Sequence, residues 1–123
     1  LVKGAYLEPA ELAFAHKPDV DAAYARLAER MLVAAGHTAL ATHDERLIEG
    51  AIGFARGHGV PLERFELQML YGVRPNLQLE LVRRGHKVLV ATPYGPDWYP
   101  YLMRRLAERP ANLLFFLRNT LRG

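Results

Sequence analysis

The chain has 123 residues, half of them hydrophobic and 24% charged, which argues for a folded domain with a core and against a disordered segment. Sixteen basic and thirteen acidic residues leave a formal charge of +3. That is an ordinary mixed surface with a mild leaning toward anionic ligands or an anionic membrane surface.

The absence of cysteine excludes disulfides, thiolate metal sites and cysteine nucleophiles within these residues, and fits a reducing compartment. No apolar run reaches the roughly 20 residues that a membrane-spanning helix needs. Residues 112–117 (NLLFFL) are too short and run into Arg118. Leu1-Val2-Lys3 has neither a basic n-region nor a long apolar stretch behind it, so no signal peptide is visible. The chain opens without a Met and inside a strand-like segment, and the expectation is a truncated piece of a longer protein.

In chain order, Leu1 to Tyr6 reads as a strand. Pro18 to Ala35 reads as a helix with Val20, Tyr24, Leu27 and Met31 on one face and Arg26 and Arg30 off it. Gly36 stops that helix. Thr38 to Thr42 is a short buried strand, and Asp44 to His58 a helix with Leu47, Ala51 and Phe54 in line, closed by Gly59 and Pro61. Arg64 to Leu70 is the third strand and Pro75 to Arg84 the third helix, ending at Gly85. Lys87 to Ala91 is the fourth strand, and Pro93 to Pro96 a loop. Asp97 is an N-cap for a helix to about Arg109, and Ala111 to Leu121 forms a last helix.

Four strand–helix units in series imply parallel strands with helices outside. Two architectures satisfy that pattern, a doubly wound open sheet or part of a (β/α)8 barrel. A full barrel takes about 250 residues in eight units, so four units amount to half of one, with two open edge strands and an uncovered interior face.

In both architectures function sits at the carboxyl ends of the strands, where four clusters fall. In Val2-Lys3-Gly4-Ala5-Tyr6, Gly4 permits close backbone approach by a ligand. Lys3 suits a phosphate or a Schiff base, or is simply a solvated or ion-paired lysine. In Thr42-His43-Asp44 the histidine is an acid/base, a ligand contact or a helix-capping neighbour. Gln68-Met69-Leu70-Tyr71-Gly72 reads as core. Tyr101, Arg104, Arg105 and Glu108 lie at i, i+3, i+4 and i+7, on one helical face near the mouth of the strands. Two adjacent guanidiniums offer planar donor forks to a carboxylate or phosphate, and a solvated charged face is the plainer alternative. His16, His37, His58 and His86 fall in turns, where a surface position is the default. There is no HExxH, GxGxxG or Walker loop, and no histidine pair has metal-ligand spacing. Trp98 and Tyr99 near Arg104 do not amount to a nucleic-acid surface without a basic stripe.

LVKGAY at residues 1–6, ATHD at 41–44, FELQMLYG at 65–72 and PYGPDWYPYLMRRLAERPAN at 93–112 resemble, in order and from end to end, the proline dehydrogenase family. The small monofunctional bacterial enzymes are the nearest in flavour. The resemblance implies that residues 1–123 are the C-terminal half, four strand–helix units, of a distorted (β/α)8 barrel with FAD at the strand carboxyl ends. It implies oxidation of L-proline to Δ1-pyrroline-5-carboxylate by hydride transfer from C5 to flavin N5, with electrons passed to a membrane quinone. The location implied is the bacterial cytoplasm, with peripheral association at the inner-membrane face, and no nucleic-acid partner.

By the same resemblance Arg104 and Arg105 grip the proline carboxylate. Tyr101 packs on the substrate ring, Leu70 forms an apolar wall beside it, and Tyr6 lies near substrate and flavin. Val2 and Gly4 meet the flavin through their backbone with Lys3 and Ala5 beside them. Thr42 and His43 contact the cofactor, and Glu108 pairs with Arg105 near it. Two departures stand out. The family usually has Tyr four residues before the Gly of PYG, where this chain has Ala91, and an Arg before Leu1. The first four strands, expected to supply a Lys and an Asp, are absent, so this polypeptide alone is expected to be inactive and to bind FAD poorly. Setting the resemblance aside leaves a Schiff-base aldolase using Lys3, with the arginines on a phosphate, or a non-catalytic barrel fragment.

Overall fold

Each helix ends where the sequence supplies a residue that can leave the helical conformation. The computed structural model describes residues 1–3, 9, 11–34, 36–100 and 103. Within them lie α1 (Lys17–Ala34), β1 (Thr38–Ala41), α2 (Glu45–Gly57), a short 3-10 turn (Leu62–Arg64), β2 (Phe65–Leu70), α3 (Pro75–Arg83) and β3 (Val88–Ala91). From α1 to β3 the alternation expected from the sequence is present to within a residue or two at each boundary.

Asp44 is the N-cap of α2, its side chain accepting from the Arg46 N–H. Helices α2 and α3 close alike. Gly59 and Gly85 take positive φ (64° and 86°), and their N–H groups donate to the Arg56 and Val82 carbonyls. The next residues, Val60 and His86, donate to Ala55 and Leu81. This double bond pattern is the Schellman motif, in which the residue after the glycine folds back onto the last helical turn.

The three strands are parallel in the sequential order β1-β2-β3. A parallel bridge between Val2 and Ala41 adds the first residues beside β1, with Leu1 C=O accepting from Ala41 N–H and Lys3 N–H donating to Ala41 C=O. The helices contribute their buried faces to one side of this sheet. Tyr24, Ala28 and Leu32 of α1, Ile48, Ala51, Ile52 and Ala55 of α2, and Leu77 and Leu81 of α3 pack with Leu40, Phe65, Leu67 and Met69. The alternate strand residues, Ala39 and Ala41 of β1, Glu66, Gln68 and Leu70 of β2, and Leu89 and Ala91 of β3, share the opposite face by register.

Two expectations change. The buried stripe of α1 runs through Tyr24, Ala28 and Leu32, whereas Leu27 is 47% exposed. Tyr24, Ala28 and Leu32 form an i, i+4, i+8 row on the helix surface, adjacent to the row through Leu27, and the small Ala28 lets the helix pack closely along it. His86 is buried, not a surface turn residue, because it occupies the second position after the helix, which the Schellman closure folds onto Leu81.

The chain divides into two compact units, Leu1–Lys3 with Ala10–Thr92, and Gly4–Pro9 with Pro93–Gly123. The elements above form the first. In the second, residues 98–100 are helical directly after Asp97. The Trp98 N–H donates to Gly95 C=O at 3.2 Å, and the Trp98 and Tyr99 rings meet edge-on at 5.7 Å. The expected final helix Ala111 to Leu121, and the rest of the helix begun at Asp97, lie outside the described residues.

Candidate functional site

Val2, Thr42, His43 and Leu70 come together because they occupy the carboxyl ends of three neighbouring parallel chain segments. Val2 is 75% exposed. Its flanking residues use their inward peptide groups on Ala41, so Val2's own N–H and C=O point to the other edge, as alternation along a strand requires.

His43 is fixed by hydrogen bonds at both ends. Its Nε2 accepts from the Leu70 N–H at 2.9 Å, so the ring is neutral with its proton on Nδ1. Its carbonyl accepts from Arg74 Nη1 at 3.1 Å. Leu70 is fixed as firmly, because its carbonyl accepts from Gln78 Nε2 at 3.0 Å while the same amide holds the Val73 carbonyl at 2.8 Å. Thr42 is buried and its Oγ1 accepts from the Asp44 N–H at 3.1 Å, which tightens the exit from β1.

Lys3 points to the helix side of the sheet, away from the face that carries Leu70. Its ammonium, on a side chain 7% exposed, pairs with Asp21 of α1 and, at 3.3 Å, with Asp44. Lys17 closes the cluster on the same two carboxylates. Burial works to raise the Asp44 carboxyl, but the bonds from Lys3 and Lys17 outweigh it and hold it below the ordinary range. Bonds from Lys17 and Lys3 hold Asp21 low as well. A Schiff base needs a neutral amine open to a carbonyl compound. An enclosed, doubly paired ammonium argues against the aldolase reading.

Gly4, Ala5, Tyr6, Tyr101, Arg104, Arg105 and Glu108, the other candidate site residues, lie outside the described residues. Ala91 ends β3 on the same sheet face as Leu70, its register partner, and is exposed.

Residues not singled out from the sequence complete the arrangement. Arg74 links the two loops, donating to His43 and pairing with Glu45. It holds φ 52° and ψ 55°, a left-handed conformation that costs a non-glycine residue about 1–2 kcal/mol. The following Pro75 disfavours helical backbone there as well. The Arg–Pro pair was the only local signal. At the opposite, amino end of the strands Glu66 is buried, with Lys87 at 2.7 Å, Gln68 at 2.8 Å and His37 at 3.6 Å. The bonds from Lys87 and Gln68 push its carboxyl down to about 2. Among the described residues no group of three or more His, Asp or Glu can hold a metal ion, and no helix is long and apolar enough to cross a membrane.

A parallel sheet with helices packed on one face and polar loops at the strand carboxyl ends is the scaffold of an α/β ligand-binding or catalytic domain. A sequence model described as proline dehydrogenase matches residues 1–118, and the chain belongs to the proline dehydrogenase family. It is 49% identical to the proline dehydrogenase of Deinococcus radiodurans over 123 residues, all of this chain and 40% of that protein. It is also 49% identical to proline dehydrogenase 2 of Bacillus subtilis over 115 residues, 94% of this chain and 38% of that protein. With proline dehydrogenase 1 of the same species it shares 45% identity over 122 residues, 99% of this chain and 40% of that protein. The chain thus spans about 40% of the length of the curated relatives it matches.

Proposed function

We propose that residues 1–123 are the C-terminal half of a distorted (β/α)8 barrel, and that the full-length protein oxidises L-proline to Δ1-pyrroline-5-carboxylate with FAD. The observation that carries this is the family match across residues 1–118. The sheet supports the barrel. Strands in sequential parallel order with helices on one face suit a barrel wall, whereas a doubly wound sheet reverses its order and carries helices on both faces.

The described residues fit a flavin in kind. A flat apolar ring with polar edges calls for an apolar shelf beside peptide and imidazole groups, and Leu70, Val2 and His43 supply these from adjacent segments. When bound, FAD would accept at N5 the hydride that leaves proline C5, and pass the electrons to a quinone. The chain's own part is to bind and orient. Arg104 and Arg105 neutralise the carboxylate with paired donors, Leu70, Tyr101 and Tyr6 enclose the ring and exclude water, and Val2, Gly4, Ala5, Thr42 and His43 line the cofactor, with Lys3 beside them through its backbone alone because its side chain is taken up by Asp21 and Asp44. Glu108 steadies Arg105. With C5 giving up hydride and nitrogen a proton to solvent, the C5=N bond forms and the balance closes. Quinone reduction suits a cytoplasmic protein that visits the inner face of a bacterial membrane.

An absorption spectrum of the full-length protein, taken anaerobically before and after L-proline, tests the reading. A flavin band bleached by proline is the expected result. A band that proline leaves unchanged would overturn the substrate assignment and direct attention to Ala91. A folded protein that takes up no flavin would overturn the function as a whole.

A further inference from the structure

We propose that Arg74 is a positioning residue that holds His43 and Leu70 in place for the bound flavin and proline, an inference that rests on the function proposed above. The first ground is an anomaly of backbone. Arg74 is the N-cap of α3, yet it makes no side-chain cap bond and sits at φ 52°, directly before Pro75. Neither helix capping nor backbone preference selects arginine there, since Ser, Asp or Asn would cap better and Gly or Asn would accept the angle more readily. A strained residue that persists is held by what its side chain reaches.

The second ground is what Arg74 reaches. One guanidinium nitrogen donates to the His43 carbonyl, across 31 residues of sequence, and the other pairs with Glu45 in the first turn of α2. His43 in turn accepts from the Leu70 N–H, four residues before Arg74. The result is a closed circuit: Arg74 holds His43, His43 holds Leu70, and the chain from Leu70 returns to Arg74. Gln78 fastens that return path at the Leu70 and Val73 carbonyls. The loops after β1 and β2 are thereby one unit, and loss of the guanidinium frees the peptide that carries His43.

The test uses the full-length protein with Arg74→Gly and Arg74→Asn, both of which tolerate a left-handed backbone, and Arg74→Lys as the conservative rescue. Three quantities are read: the FAD dissociation constant of the stripped protein by flavin fluorescence, KM and kcat for proline, and the thermal midpoint. The expected result is a midpoint near wild type in the Gly and Asn variants, with FAD affinity weaker by about tenfold, the equivalent of one charge-assisted hydrogen bond. KM should rise more than kcat falls, and Arg74→Lys should recover part of both. Wild-type FAD affinity and KM in whichever of the Gly and Asn variants folds would overturn the proposal. Wild-type protein that binds no flavin would instead sink the function on which it rests.

Discussion

Lys3 and His43 each look, as residues, like a reactive group just past a strand, and each is taken up by neighbours that the sequence places far away. Lys3 is drawn to the helix side by Asp21 and Asp44, while His43 spends its Nε2 on the Leu70 N–H. Asp44 therefore does two jobs, capping α2 and compensating Lys3. Asp44→Asn keeps the cap acceptor and loses the charge, whereas Asp44→Ala loses both. Denaturant unfolding should find Asp44→Ala destabilised by about 1–3 kcal/mol and Asp44→Asn by clearly less. Equal losses would mean that the cap bond contributes nothing.

Among the elements, α1 and the end of α3 show how packing refines a periodic reading. The apolar positions of α1 admit more than one stripe, and the sheet selects Tyr24, Ala28 and Leu32. Leu32→Ala should cost about 2–5 kcal/mol and Leu27→Ala no more than about 0.5 kcal/mol, as compared by thermal or denaturant midpoints. At the end of α3, burial, followed by the nearby Arg84, holds the His86 imidazole below its ordinary 6.5, with Arg56 acting in the same direction and Glu49 against it. Phe65 packs beside the ring. A histidine kept neutral in the fold and free to protonate when unfolded contributes stability above pH 6.5 and loses it as the pH falls through the folded value. The melting temperature should therefore fall as the pH drops from 7 toward 5, and His86→Gln should flatten that slope. An unchanged slope would remove His86 as its source.

For the whole molecule, the two ends of the sheet carry different work. The amino end is tied by Glu66 to Lys87, Gln68 and His37, in keeping with a face that serves stability. Because the Glu66 carboxyl titrates near 2 in the fold, against an ordinary 4.5, its contribution is present above pH 4.5 and is lost as the pH falls toward 2. Glu66→Gln should be less stable than wild type at pH 7, and the gap should narrow below pH 4.5 and close as the pH falls through about 2, as followed by unfolding across pH. The carboxyl end is where the proposed chemistry falls. In the full-length protein Arg105→Met should raise KM for proline on the order of tens-fold while flavin stays bound, because a carboxylate would lose a charged, forked donor. Loss of flavin without a change in KM would reassign Arg105 to the cofactor.

The sequence by itself determined the strand–helix alternation, the helix stops at Gly59 and Gly85 and, through four motifs, the family to which the chain belongs. These features are written within a few residues, as period, turn chemistry and contiguous motif, so they can be read locally. The tertiary structure alone decided which stripe of α1 is buried, that His86 turns inward, that Lys3 is enclosed by carboxylates, and that Arg74 rather than any motif residue joins the loops at His43 and Leu70. Each depends on partners well apart along the chain, 41 residues for Lys3 and Asp44 and 31 for Arg74 and His43. No local spacing encodes such pairs; they exist only once parallel strands bring their carboxyl ends side by side.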